Sequence, residues 1–192
     1  VRREIVSRPI GRVIEEAKKL LNSGYREIVL CGINLGNYGQ LIPLLEKLNS
    51  LEGLDRIRIS SIEPLHVKEE LIRAIDSLSK LCHHLHIPLQ SGDDYILKVM
   101  NRNYTTGDYR AILEMVRRVV PDMGISTDLI VGFPGETEER FQNTYDFAKK
   151  MYFSRIHIFR FSPRPETLAS RLPGMVPPSE VRRRSTILDG LE

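Results

Sequence analysis

Residues able to do chemistry are grouped at a few points of this 192-residue chain, each just beyond an apolar run. Gly32-Ile33-Asn34-Leu35-Gly36-Asn37 can present a backbone carbonyl, an amide and an Asn side chain to an ammonium or carboxylate group. It is not the GxGxxG of dinucleotide folds, and a plain turn in which Gly and Asn adopt positive φ is the alternative reading. Glu63 precedes Pro64, which forces it into an extended conformation and aims its carboxylate off the end of a run. It suits a cationic ligand group or, equally, a solvated turn. His84 and His86 share one face of a short strand, and His83 lies on the other. No third ligand follows at metal spacing, so packed or supporting histidines are expected there rather than zinc. Gln90, Ser91 and Gly92 offer amide, hydroxyl and backbone donors suited to a ribose or a carboxylate. The run TDLIVGFPGETEERF, residues 127–141, joins an apolar strand to a Gly-Phe-Pro-Gly turn and an acidic helix start. Gly132 and Gly135 would let backbone approach a flat ligand, and Glu136, Glu138 and Glu139 are expected in the first helical turn, where the helix dipole favours negative charge.

The elements that must carry these groups are legible from periodicity. Helical spacing begins after Ser7, a plausible N-cap, with Ile10, Val13, Ile14, Ala17, Leu20 and Leu21. Further helices are expected at about 40–49, 67–79, 95–100, 106–119 and 136–151, with a terminal one from about Ser179. Strands are expected at 26–31, 56–60, 83–87, 125–131 and 155–161. Five strands alternating with helices through short polar links argue for parallel βα units. Two closures compete, an open doubly wound sheet and a curved barrel. Every strand ends on polar or glycine-bearing residues, and a barrel would gather those ends on one rim, so a partial barrel is favoured.

Composition excludes little. Hydrophobic residues make 41% and charged residues 28%, net charge is +3, and no apolar run reaches the ~18 residues of a membrane span. Cys31 and Cys82 form no CxxC or CxxxCxxC pattern and are expected to be small buried apolar residues in a reducing, cytoplasmic setting. Hydrolase GxSxG and kinase P-loop motifs are absent from the sequence. Arg2, Arg3 and Arg8, with Arg182, Arg183 and Arg184, could contact RNA phosphate, although such clusters are commonly solvated helix faces.

Five blocks taken in order, GINLGNYG, RIRISSIEP, HLHIPLQSGDDYILKVMNR, ISTDLIVGFPGETEERF and FRFSPRPET, resemble the radical S-adenosylmethionine methylthiotransferases. The resemblance covers essentially the whole chain. It is greatest with the branch that methylthiolates threonylcarbamoyladenosine beside the tRNA anticodon, ahead of those acting on isopentenyladenosine in tRNA or an aspartate of a ribosomal protein. It implies an α/β fold, a partial (β/α)6 TIM-type barrel as one domain over residues 1–192, with the five strands here matching the family's second to sixth. It implies S-adenosylmethionine as cofactor, two [4Fe-4S] clusters in the full-length enzyme, an electron donor, a tRNA anticodon stem-loop as partner and no membrane. The family's cluster loop CxxxCxxC, its N-terminal methylthiotransferase domain and its C-terminal RNA-binding domain have no counterpart in these residues, so a fragment inactive by itself, or a degenerate binding module, is expected. By motif, Gly32, Ile33 and Asn34 would hold the methionine amino group. Glu63, Gln90 and Ser91 would lie near the methionyl and ribose parts, while Val131, Gly132, Gly135, Phe159 and Phe161 would flank adenine. The family reaction that this implies is cleavage of S-adenosylmethionine by a reduced cluster, removal of hydrogen from adenine C2 by the adenosyl radical, and insertion of sulfur.

Overall fold

The computed structural model describes residues 6–191; Arg2 and Arg3, among the expected phosphate contacts, lie outside the described residues. The order of elements is α1 (Ile10–Asn22), β1 (Glu27–Leu30), α2 (Leu41–Asn49), β2 (Arg56–Ile59), α3 (Glu69–Ser77), β3 (His84–His86), α4 (Asp94–Val99), α5 (Thr106–Val119), β4 (Gly124–Val131), α6 (Glu138–Met151), β5 (Arg155–Arg160) and α7 (Pro178–Asp189). The strands fall into two sheets, β1-β2 and β3-β4-β5, with β1–β2 and β4–β5 parallel. The chain divides into two compact units, one up to Leu85 together with Val116–Met123, the other His86–Met115 with Gly124 to the end.

In the first unit the short strands alternate. Ile28, Leu30, Ile57 and Ile59 are buried, while Glu27, Val29 and Arg56 are exposed. A parallel bridge also pairs Ile57 with Leu81. Leu45, Leu48, Ile57, Ile62, Ile72 and Ile75 are fully removed from water, each worth about 1.5–3 kcal/mol of burial. α1 is entered through Pro9, with no side chain capping it, so Ser7 is not its cap. The fixed φ of proline supplies the entry geometry instead. Cys31, expected to be buried, is exposed, because it continues the solvent side of β1's alternation. Cys82 is half-buried, and its Sγ accepts from Arg56 Nη2 at 3.5 Å.

In the second unit β4 is the central strand. Ile125, Thr127, Leu129 and Val131 point into a core that includes Tyr109, Leu113, Phe141 and Ile156. Thr105 and Asp108 form a reciprocal cap at the start of α5, Thr105 N donating to Asp108 Oδ2 at 2.8 Å and Asp108 N to Thr105 Oγ1 at 3.1 Å. The Thr105 hydroxyl, which donates to Asp108 Oδ2 at 2.7 Å, and then the Thr105 N–H hold the Asp108 carboxyl below the usual carboxylate range. α6 starts at Glu138, its N-cap Thr137 accepting from Arg140 N, so Glu136 precedes the helix rather than sitting in its first turn.

Candidate functional site

The first unit carries Gly32, Ile33, Asn34 and Glu63. Beyond β1 the chain turns through a 3-10 stretch, Leu35–Asn37. Asn34 has φ −147° and Gly32 is not left-handed either, so the positive-φ turn is not what these residue types serve. Gly36 does have a steric reason: a Cβ there would strike His66 in the loop after β2. The absent side chain thus lets the β1 and β2 exit loops pack together. Gly32, Ile33 and Asn34 line a cavity of about 850 Å³ with Cys31, Leu35 and Tyr38. Asn34 Oδ1 is buried without a hydrogen-bond partner among the described residues. Such an atom costs about 1–3 kcal/mol unless a donor arrives, and an ammonium group is a suitable one. Ile33 is 82% exposed. Glu63 is extended, φ −60° and ψ 140°, as Pro64 requires.

The second unit carries the other candidates. Gln90 is left-handed, φ +72°, an uncommon state for a residue with a side chain. The strain is held by the sheet: Gln90 N donates to Asp128 O at 2.8 Å, and Gln90 O accepts from Ile130 N at 2.9 Å. The backbone before it is pinned from beneath. Tyr109 Oη donates to Ile87 O at 2.6 Å, Leu89 N donates to Thr127 Oγ1 at 2.9 Å, and Tyr104 Oη reaches Leu89 O at 3.1 Å. Strain retained at a braced strand end is a mark of a functional position. Ser91, by contrast, is fully buried, its hydroxyl on Thr144 Oγ1 and accepting from Asp93 N. Gly92 N donates to the same Thr144 oxygen, and a Cβ on Gly92 would stand 2.7 Å from Thr144 Cα. Ser91 and Gly92 therefore lock the loop onto α6, which leaves Gln90 as the candidate donor of this loop that takes no part in the lock.

Val131, Gly132, Gly135 and Phe161 meet around one turn. Phe161 N donates to Val131 O at 2.8 Å, and the Phe161 and Phe133 rings meet edge to face at 5.1 Å. Phe159 stands 53% exposed, in register with Ile130. Gly132 and Gly135 are left-handed, φ +78° and +85°, but their close approaches are to this chain. A Cβ at Gly132 would clash with Val181 of α7, and Gly135 N donates to Gly174 O at 2.8 Å.

Glu136 holds this turn from inside. It is 4% exposed, and its Oε1 accepts from Gly132 N at 2.9 Å and from Arg184 Nη1 at 2.7 Å. Arg184, 5% exposed, also donates to Glu136 O at 2.9 Å and to Glu138 Oε2 at 3.2 Å. Burial raises the Glu136 carboxyl above the ordinary carboxylate range, against the lowering effect of Gly132 N–H and of Arg184. Arg184 is thus neither a solvated arginine nor free for phosphate. Arg183 pairs with Glu138 and Glu180, and Arg182 is exposed.

Across the sheet, His86 bridges Ser126 Oγ at 2.9 Å and Asp128 Oδ2 at 3.2 Å, and its ring lies 5.6 Å from His157. Asp128 and His157 are register partners on β4 and β5. The residue spacing of β3 hinted at this cluster, but Ser126, Asp128 and His157 carry no local signal for it. No group of three His, Cys, Asp or Glu suited to a metal occurs among the described residues. The two cysteines, one exposed and one beside Arg56, do not make an iron–sulfur ligand set.

Comparison with known proteins decides the family. The model of the radical SAM superfamily matches residues 1–148. The chain belongs to the radical SAM superfamily. Its radical SAM character extends to the fold: coproporphyrinogen III oxidase (HemN) of Escherichia coli, a radical SAM enzyme, superposes with a TM-score of 0.64 at 16% identity, covering 98% of this chain and 48% of that one. The alternating helices and parallel sheets are accordingly a core of the partial TIM-barrel type. In sequence this radical SAM chain is 44% identical over 189 residues to threonylcarbamoyladenosine tRNA methylthiotransferase MtaB of Thermotoga maritima, covering 96% of the chain and 44% of the relative. It is 42% identical over 178 residues to tRNA-2-methylthio-N(6)-dimethylallyladenosine synthase of Caldicellulosiruptor saccharolyticus, covering 89% of the chain and 38% of the relative. The chain spans less than half the length of these relatives.

Proposed function

We propose that this chain is the S-adenosylmethionine-binding core of a tRNA methylthiotransferase that acts on N6-threonylcarbamoyladenosine. The observation that carries the reading is the 44% identity to the Thermotoga maritima enzyme over 189 residues, which includes all five strand-end blocks. All 192 residues act as one radical SAM domain. S-adenosylmethionine, when bound, supplies the adenosyl and methyl groups of the reaction. Asn34 Oδ1, buried and without a partner, accepts from the methionine ammonium, with Gly32 and Ile33 leaving backbone open beside it. By the family motif, Glu63 and Gln90 serve the methionyl and ribose parts of the ligand, a reading supported for Gln90 by its left-handed backbone and for Glu63 by its extended one. The turn Val131–Gly135, held in shape by Glu136, and the aromatic rings of Phe159 and Phe161 give adenine its apolar walls. Cys31 and Cys82 do not fit a [4Fe-4S] cluster, and the described residues hold no other metal-binding group; in the full-length enzyme two clusters and an electron donor act with this core.

No helix among the described residues is long and apolar enough to cross a membrane, and tRNA as substrate puts the enzyme in the cytoplasm. A second reading, methylthiolation of dimethylallyladenosine, is favoured by the 42% identity to the Caldicellulosiruptor saccharolyticus enzyme and by an equal 44% identity over 177 residues to the enzyme of that name from Thermoanaerobacter pseudethanolicus. Nucleoside analysis of tRNA from a strain lacking the gene separates the two. Loss of the methylthio group from threonylcarbamoyladenosine alone supports the first reading, and loss from dimethylallyladenosine alone supports the second.

A further inference from the structure

Positive charge is concentrated on one stretch of the second unit. Residues 155–184 hold seven arginines against two glutamates, Glu166 and Glu180, in a chain whose net charge is only +3. Glu180 is taken by Arg183, which also pairs with Glu138, and Arg184 is taken by Glu136 and Glu138. Arg155, Arg160, Arg164, Arg171 and Arg182 are all exposed and have no acidic partner among the described residues. Two of these, Arg160 at the end of β5 and Arg182 on α7, flank a cavity of about 500 Å³. Its remaining walls are apolar, chiefly Pro163, Met175, Pro177 and Val181, and it meets the turn assigned to adenine only at Gly132 and Phe161. Met175 is 48% exposed, and Leu168 in the same connection is 84% exposed. Unpartnered guanidiniums beside an apolar recess match a nucleotide unit, with phosphate oxygens on the arginines and the base or sugar against the wall. An acidic protein surface would match the charge but has no use for the recess.

We propose that Arg160 and Arg182 form a phosphate-binding subsite for single-stranded RNA, with one nucleotide seated in the cavity between them and Arg155, Arg164 and Arg171 extending the track. This deepens the reading of the chain as a tRNA-modifying core and rests on that reading for the source of the RNA. The subsite lies between the end of β5 and the start of α7 and uses neither Arg184 nor Glu136, which hold the turn.

The test is fluorescence anisotropy of the 192-residue chain with a labelled RNA hairpin bearing a single-stranded loop, titrated over a salt series. Each phosphate contact in a single strand contributes about 0.7 to the slope of log K against log salt, so R160A/R182A should flatten the slope by about 1.4 and weaken binding at low salt. A control pair on α1, R12A/K18A, should leave the slope unchanged. Circular dichroism of each variant guards against misfolding, and R160K/R182K, which keeps the charge, should restore most of the slope. The proposal is overturned if R160A/R182A binds with the wild-type slope, if the wild-type chain does not bind RNA, or if polyglutamate of equal charge competes as well as the RNA. Failure of the functional reading looks different: arginine-dependent RNA binding would persist while tRNA from the deletion strain kept its methylthio groups.

Discussion

Replacing Arg184 by Ala should be among the most damaging single changes to the second unit. The guanidinium makes four contacts that the substitution removes: Glu136 Oε1 at 2.7 Å, Glu136 O at 2.9 Å, Glu138 Oε2 at 3.2 Å and the Phe141 ring at 5.3 Å. Glu136 would be left buried with one donor, Gly132 N, and its Oε2 is already without one. Removing one partner of a buried ion pair costs about 3–5 kcal/mol, and at about 2–4 °C per kcal/mol for a chain of this size the melting point should fall by about 6–20 °C. Glu136→Gln should cost less, about 1–3 kcal/mol, because the Gln oxygen can still accept from Gly132 N and Arg184 keeps Glu138. E136Q/R184M should cost less than the sum of its parts, because both changes abolish the same pair.

The same pair gives a pH signature. Burial raises the Glu136 carboxyl, so the folded chain binds that proton more tightly than the unfolded chain. The resulting stabilisation is fully present below the unfolded carboxylate value and is lost as pH rises through the raised folded value. In R184A the opposing cation is gone, the window extends to higher pH, and the deficit relative to wild type should grow as pH rises. Urea unfolding between pH 5 and 8, followed by circular dichroism, measures both effects. A deficit below about 1 kcal/mol, or one that shrinks with rising pH, would refute the role given to the pair.

Three further changes probe the remaining elements. Gly132→Ala combines a left-handed φ with a clash against Val181 and should cost about 2–5 kcal/mol, read by urea unfolding; a neutral effect would mean that α7 does not pack there. Asn34→Ala should leave stability level or slightly higher, since it deletes a buried unpartnered oxygen, while weakening S-adenosylmethionine binding about tenfold or more by calorimetry; unchanged affinity would remove Asn34 from the site. Ser91→Ala should destabilise by about 1–3 kcal/mol through the buried polar groups of Thr144 and Asp93, so any loss of ligand affinity should track loss of fold in thermal scans.

Much of this was legible because the governing signals are local. Helical periodicity located α1, α2, α5 and α6 within a few residues, and short runs closed by polar or glycine-bearing residues located the five strands. Pro64 fixed the conformation of Glu63 from one neighbour alone. What stayed hidden depends on partners far along the chain. Glu136 reads as a helix-dipole glutamate until Arg184, forty-eight residues away, is seen beside it. Ser91 reads as a ligand donor until Thr144, fifty-three residues on, takes its hydroxyl. The glycines of the GFPG turn read as openings for a ligand, yet Val181 fills the space beside Gly132. Cys31 was misread for another reason: strand composition does not say which phase of the alternation faces water.

The proposed activity is tested most directly with the complete gene product, its iron–sulfur content restored, supplied with reductant, S-adenosylmethionine and an anticodon stem-loop carrying N6-threonylcarbamoyladenosine. Mass spectrometry of the digested RNA should then show a methylthio group on that nucleoside, and none when dimethylallyladenosine replaces it. Turnover of S-adenosylmethionine without change in either RNA would contradict the assignment.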